Sequence, residues 1–289
     1  MLESLVRNSI GYLESFAAKE SLRLDPYWPK WDSPWWHMTL LWEMGLADRI
    51  PPSIVESLTS ALQYQYLDFF PFEDSEIPAG KSEQCHVLCH CALGTIDQVL
   101  RACGIDIWQR LPWTRDWYSR YQLPDGGLNC EKDAYLGSKK SSIVSTVPCL
   151  EAVLSRQASL SPEEKRFLDR GVRYLIEHRL VRSRKGIVID PNWLKPCFPR
   201  FYEYDVLRGA AFLFKWSEYS GEPVPAEVLE DARPWLEGKP IRNERYALGK
   251  NSIFIDSNGF RKGPASVFPL LERVSIVDAP CPFIQFPTK

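Results

Sequence analysis

The chain is 289 residues long, with 45% hydrophobic and 25% charged residues, and 35 Lys and Arg stand against 37 Asp and Glu. That is enough apolar material for a sizeable core, and the near-neutral balance excludes a general nucleic-acid binder, which carries a basic excess, and an acidic, solvating chain. No apolar run reaches the length of a membrane span, and the start, MLESLVRNSIGYLESF, carries Glu3 and Glu14 in place of a signal peptide's apolar core, so a soluble, cytoplasmic protein with no transmembrane segment is expected.

Residues 2–19 place Leu5, Val6, Ile10, Leu13 and Phe16 at helical spacing and predict a first amphipathic helix. Pro26 and Pro29 break the stretch that follows. Ser33 and Pro34 read as cap and first turn of a helix through Ala47, and Pro52 and Ser53 open another over 53–70. Pro71, Pro78 and Gly80 make 71–81 a loop. Residues 82–103 predict a long helix, capped by Ser82 and ended by Gly104, with Cys85, Leu88, Ala92, Ile96, Val99 and Cys103 along one stripe. A helix over about 112–122 runs into the turn Pro124-Asp125-Gly126-Gly127. Helices at 141–156, 161–180, 201–219 and 225–237 follow, the second opened by Ser161-Pro162-Glu163-Glu164. From 247 on the helical period is lost, and Ser257-Asn258-Gly259 predicts a small β-hairpin in an irregular tail that ends at Lys289. No linker divides the chain, so one all-α domain is expected, with a helical core at about 33–240 and a wrapping tail at about 247–289.

Three of these helices open alike, at Lys81-Ser82, Lys140-Ser141-Ser142 and Arg200-Phe201-Tyr202, and each has a small, apolar interior: CHVLCHCALG, SIVSTVPCLEAVL and YDVLRGAAFLF. Such helices pack closely and suit an inner ring, while the more charged ones between them, such as Glu163 to Arg179, suit an outer ring. The alternation predicts an α/α toroid. The connector Tyr118-x3-Gln122-x3-Gly126-x-Leu128 resembles the QW repeat of squalene and oxidosqualene cyclases, with Leu128 where Trp is usual. The DGGL at 125–128 resembles the Gly-Gly-Phe connectors of protein prenyltransferase β subunits. The resemblance to this terpenoid cyclase and protein prenyltransferase superfamily spans about residues 33–240 and implies a toroid whose central cavity takes a hydrophobic, isoprenoid-like small molecule. In the connector, Gly126 and Gly127 allow the sharp turn and Gln122 is expected to bond exposed backbone amides, both scaffold roles.

The families' catalytic motifs do not carry over. Neither the DxDD nor the DCTAE acid motif of class II cyclases is present. The Asp-x-Cys zinc pair of protein prenyltransferases would fall at Lys140-Ser141-Ser142-Ile143, and its later His near Phe201, where the chain has Tyr202, Glu203, Tyr204 and Asp205.

The mouth of such a ring would gather the first turns of the inner helices: Trp35, Trp36 and His37; Lys81, Glu83 and His86; Lys140, Ser141 and Ser142; Arg200, Tyr202, Glu203, Tyr204 and Asp205. Polar groups over an aromatic cavity suit a ligand with an apolar body and a polar or anionic head. Asp205, on an otherwise apolar helix, is a candidate general acid whose burial would raise its pKa; an ion pair with Arg200 or Arg208, or a capping role, is the alternative. Cys85, His86, Cys89 and His90 share one arc of the predicted helix, which makes His86, His90, Cys89 and Cys130 a candidate zinc set, with Cys91 pointing away as a structural residue. Without metal, Cys130 beside Asp125 and His90 is a candidate nucleophile. The other reading of the eight cysteines, none in a CxxC pair, is reduced thiols packed as small hydrophobes. The basic stretch at 165–185 reads as a solvated outer face. The expected function is an enzyme acting on a hydrophobic, isoprenoid-like substrate in the central cavity by acid or metal assistance; the alternatives are a non-catalytic binding protein on the same scaffold and, last, a carbohydrate-active helical barrel.

Overall fold

The computed structural model describes residues 2–27, 33–63, 89–156, 158, 160–195, 200 and 203–236. These residues are mostly helical and include no strand. No helix among them is long and apolar enough to cross a membrane. The predicted hairpin, Lys81, Glu83, His86 and Tyr202 lie outside the described residues.

The predicted first helix is two: α1 (Leu2–Glu14) and α2 (Phe16–Leu24). Ser15 divides them because its hydroxyl accepts from the amide of Ala18, which makes it a helix cap inside what reads as a continuous period. Then come α3 (Pro34–Glu43), α4 (Pro52–Gln63) and α5 (His90–Ala102). The predicted helix at 112–122 is a 3-10 turn followed by the single turn α7 (Trp117–Arg120), itself preceded by the short α6 (Ile107–Arg110). The chain continues through α8 (Ile143–Leu154), α9 (Pro162–Glu177), α10 (Val206–Ser220) and the short α11 (Arg233–Leu236). The Ser161 signal is realised as a full capping box, with Ser161 and Glu164 bonding each other's backbone amides. The third repeated opening is displaced. The last helix of that set starts at Val206, after Asp205 rather than at Arg200.

Burial sorts the helices into two kinds. In α3, α5 and α8 nearly every residue is buried, which requires neighbours on all sides. By contrast α9 and α10 bury about half of their residues, α9 through Glu164, Phe167, Leu168, Gly171, Val172, Tyr174 and Leu175 and α10 through its first five residues with Phe212, Leu213 and Trp216, and they leave the rest half-buried or exposed. Four helices touch in sequence order, α3 on α5, α5 on α8 and α8 on α10, while α9 packs on α8, and α2 on α4. Contact is closest between α5 and α8. Gly94 permits it, since a Cβ there would lie 2.6 Å from the backbone carbon of Pro148. The two helices run in the same direction, with His90 opposite Cys149 and Gln98 opposite Glu151.

The Gly-rich connector joins α7 to α8. Gly126 has φ +100°, and a Cβ on it would lie 2.3 Å from the carbonyl oxygen of Arg170 in α9. Gln122 is a scaffold residue, but as a donor to carbonyls rather than a partner of amides: its Nε2 bonds the oxygens of Gly126 at 2.7 Å and Phe167 at 2.8 Å. The basic stretch around α9 is largely exposed, and Arg170 caps the connector by donating to the carbonyl of Leu123.

Candidate functional site

Two places concentrate chemistry-bearing side chains. The first is a cleft of about 620 Å3 bordered by the C-terminal end of α3 and by α5, α8 and α10. Trp42, Leu154, Ala211 and Phe212 supply its apolar wall, and Glu43, Gln98, Glu151, Arg200, Arg208 and Lys215 its polar one. The floor is organised by arginines. Arg208 donates Nε and Nη2 to the carboxylate of Glu151, the latter at 2.7 Å. Burial works against the Arg208 charge, yet Glu151 beside it holds its pKa above the ordinary arginine value. Arg200 donates its backbone N–H to Glu43 at 2.8 Å and its Nε to Asp205 at 2.8 Å. Gln98 Nε2 bridges the carbonyls of Gly94 and Pro148 to Glu151. Lys215 is exposed at the rim.

Of the ring-mouth residues expected from the sequence, only Arg200 borders this cleft among the described residues. Asp205 is fully buried but is no free acid. It is the N-cap of α10, accepting from the amide of Arg208 at 2.9 Å, and it is paired with Arg200, so both alternative roles are realised together. Trp35, Trp36 and His37 are core residues and not a rim, because α3 is enclosed on all sides; the two indoles stack at 4.0 Å. His37 Nδ1 meets the hydroxyl of Ser9 at 2.7 Å, and burial pushes the His37 pKa well below the usual histidine range. Tyr204 is likewise buried, its hydroxyl donating to the carbonyl of Leu180. Asp125 holds the connector onto α8 through the amide and hydroxyl of Ser141, which commits its carboxylate. Ser142 caps α8, and Lys140 is exposed.

The second place is a thiol cluster at the start of α5. Cys89, Cys91 and Cys130 bring their sulfurs within 4.8 Å of one another. The Sγ of Cys91 lies 3.1 Å from that of Cys89 and 3.7 Å from that of Cys130. Two of the expected zinc residues are therefore together, but Cys91 belongs with them, contrary to its expected direction. The reason is local: the helix starts at His90, so Cys89 is a cap with extended backbone (φ −70°, ψ 161°) and the 100° helical step does not relate it to Cys91. His90 is not part of the cluster. Its Nε2 shares a hydrogen bond with the Tyr135 hydroxyl at 3.2 Å, and burial lowers its pKa to about 4. The Tyr27 hydroxyl lies 3.5 Å from Cys89 Sγ. Hydrogen bonds from Cys130 and Cys91 lower the pKa of Cys89, while hydrogen bonding to the neighbouring sulfurs and burial raise those of Cys91 and Cys130, Cys130 to about 12. Cys149 stays outside the cluster, with its S–H directed at the carbonyls of His90 and Ser145.

Sequence reasoning missed the carboxylates and amide of the cleft. One signal was there: Glu43 and Glu151 are isolated charges inside the apolar runs PWWHMTLLWE and IVSTVPCLEAVL, a pattern that calls for a buried cationic partner. No family model, curated protein or solved structure matches the chain.

Proposed function

We propose that this chain is an α/α toroid that binds a small amphiphile in the cleft between α3, α5, α8 and α10. The observation that carries the reading is the convergence of α3, α5, α8 and α10 on one cleft of about 620 Å3, a volume in the range of small-molecule sites. Further support comes from the neighbour order of these helices, from the parallel course of α5 and α8, and from the bond between Arg200 and Glu43, which ties the approach to α10 back to the end of α3. The resemblance in the connector suggests an isoprenoid-like body for the guest. The lining adds a requirement: half of the wall is charged or polar, so the guest carries a polar head, and a pure hydrocarbon would leave those groups desolvated. With Asp205 and Asp125 both committed to structural partners, the reading is binding, and no proton donor is assigned.

The test compares a fluorescent isoprenoid alcohol with its monophosphate by anisotropy, in the wild type and in Ala211→Trp, which fills the cleft from α10. Tighter binding of the monophosphate is expected, together with loss of both probes in A211W at unchanged circular dichroism. Binding of neither probe to the wild type, or binding that A211W leaves intact, would remove the proposal.

A further inference from the structure

We infer that Cys89, Cys91 and Cys130 are three thiolate ligands of one zinc ion, a centre distinct from the cleft and independent of what the cleft binds. The donor set decides the class of metal. Three sulfurs from two separate segments, the start of α5 and the connector before α8, meet within 4.8 Å, and thiolates select zinc, copper(I) or iron–sulfur clusters over hard cations. Tetrahedral zinc with Zn–S bonds of about 2.3 Å sets its sulfurs roughly 3.8 Å apart. The Cys91–Cys130 separation of 3.7 Å already has that value, and the 3.1 Å contact between Cys89 and Cys91 has to open by about 0.7 Å to reach it. Zinc is favoured over a cluster because a cluster takes four thiolates, and among the described residues the remaining cysteine of the α5–α8 pair, Cys149, has its S–H turned to two carbonyls.

The surroundings have the features of a supported site. Cys89 and Cys91 are buried and fixed by the first turn of α5, while Cys130 is half-buried and leaves a way in for the ion. The Tyr27 hydroxyl beside Cys89 Sγ is placed as an outer hydrogen-bond partner that orients the ligand. The connector that carries Cys130 is held by Asp125 on Ser141 and by the pairing of Leu128 with Ser142, so its position is set before any metal arrives.

Protein purified under reducing conditions is titrated with zinc against a chromogenic chelator, and metal content is read by inductively coupled plasma mass spectrometry. One equivalent per chain is expected for the wild type, for His90→Gln and for Cys149→Ser, and no tight equivalent for C89S, C91S or C130S. Because a serine variant can fail to fold, the wild type supplies a second reading. Iodoacetamide labelling mapped by peptide is expected to show zinc shielding Cys89, Cys91 and Cys130 while Cys103, also half-buried, labels equally with and without the ion. Cobalt(II) in place of zinc should give the thiolate charge-transfer band of a tetrahedral sulfur site. The assignment fails if the reduced wild type takes up no zinc under competition, if zinc shields none of the three, if copper(I) but not zinc is retained, or if His90→Gln abolishes uptake as fully as C91S.

Discussion

Replacing Arg156 by alanine removes the only cation that touches both Asp97 and Glu164 among the described residues. Its guanidinium lies 3.1 Å from Asp97 and 3.0 Å from Glu164, and the three side chains are 3%, 2% and 7% exposed. Taking the cation from a buried pair strands a charge at a cost of about 3–5 kcal/mol. The lower end applies here, because Arg101 still reaches Asp97 and the amide of Ser161 still reaches Glu164, so the expected loss is about 3 kcal/mol. Burial already raises the pKa of Asp97 against the pull of Arg156 and Arg101. Without Arg156 the native carboxyl takes up a proton more readily, so the penalty must shrink as pH falls, by up to about 1.4 kcal/mol per unit. Urea unfolding at pH 7 and pH 5 measures both effects. Arg156→Met keeps an aliphatic stem but loses the guanidinium, whose carbon lies 4.7 Å from the Trp108 ring centroid, and should be as damaging as the alanine, since the missing charge and not the missing volume is responsible. Arg166→Ala, which breaks an exposed pair with Glu163, should leave the midpoint unmoved. The reasoning is wrong if Arg156→Met restores stability, or if the penalty is the same at both pH values.

Gly126→Ala meets the Arg170 carbonyl at positive φ, and a fall of at least about 2 kcal/mol in thermal or urea unfolding is expected; a neutral substitution would mean that the connector yields easily. Gly94→Ala forces α5 and α8 apart at the backbone of Pro148 and Cys149, and a loss of about 1–3 kcal/mol should appear in the same assay. Tyr204→Phe leaves the buried Leu180 carbonyl without its hydroxyl donor, which should lower stability by about 1 kcal/mol and leave the circular dichroism spectrum intact. His37 is buried neutral with a folded pKa below its unfolded value, so the unfolded chain binds the extra proton and stability falls as pH drops below about 6.5. His37→Gln should flatten part of that slope, and an unchanged slope would show that His37 stays neutral for no energetic reason.

Helix type and the connector were legible in the sequence because they depend on local chemistry. The Ser161 capping box, the Pro34 and Pro52 starts and the Gly126-Gly127 turn all stand where short-range rules put them. What failed were boundaries at which a polar side chain ends one helix inside a continuing apolar period, at Ser15 and at Asp205. The boundary at Asp205, and a similar one at Cys89, bear on the site. Asp205 looked catalytic because it was assigned to a helix interior, whereas a cap position explains an acidic residue before an apolar run without any reaction. Cys91 was set aside because Cys89 was assigned helical geometry. For the cleft the sequence offers only the isolated charges Glu43 and Glu151 and the expected Arg200; Glu43, Glu151, Arg200 and Arg208 come from three separated segments, and only tertiary packing reveals which opposite charges meet.

The thiol cluster and the cleft both depend on the pairing of α5 with α8. Cys89 and Cys91 are at the first turn of α5, and Gln98, lower on the same helix, reaches Glu151 in the cleft. Between them stands Gly94 against Pro148, where Pro148 has no amide to give and its carbonyl is taken by Gln98 instead. A small residue facing a residue with no N–H lets two parallel backbones approach more closely than side chains would permit. That approach is what allows the Cys149 S–H to reach the His90 carbonyl and the connector's Cys130 to reach Cys91. Each position taken alone, a glycine within a helix and a proline within a helix, weakens its own element. The pair makes sense only as the means of bringing together residues that neither helix could gather alone, which is why the separation of these two backbones controls both places at once.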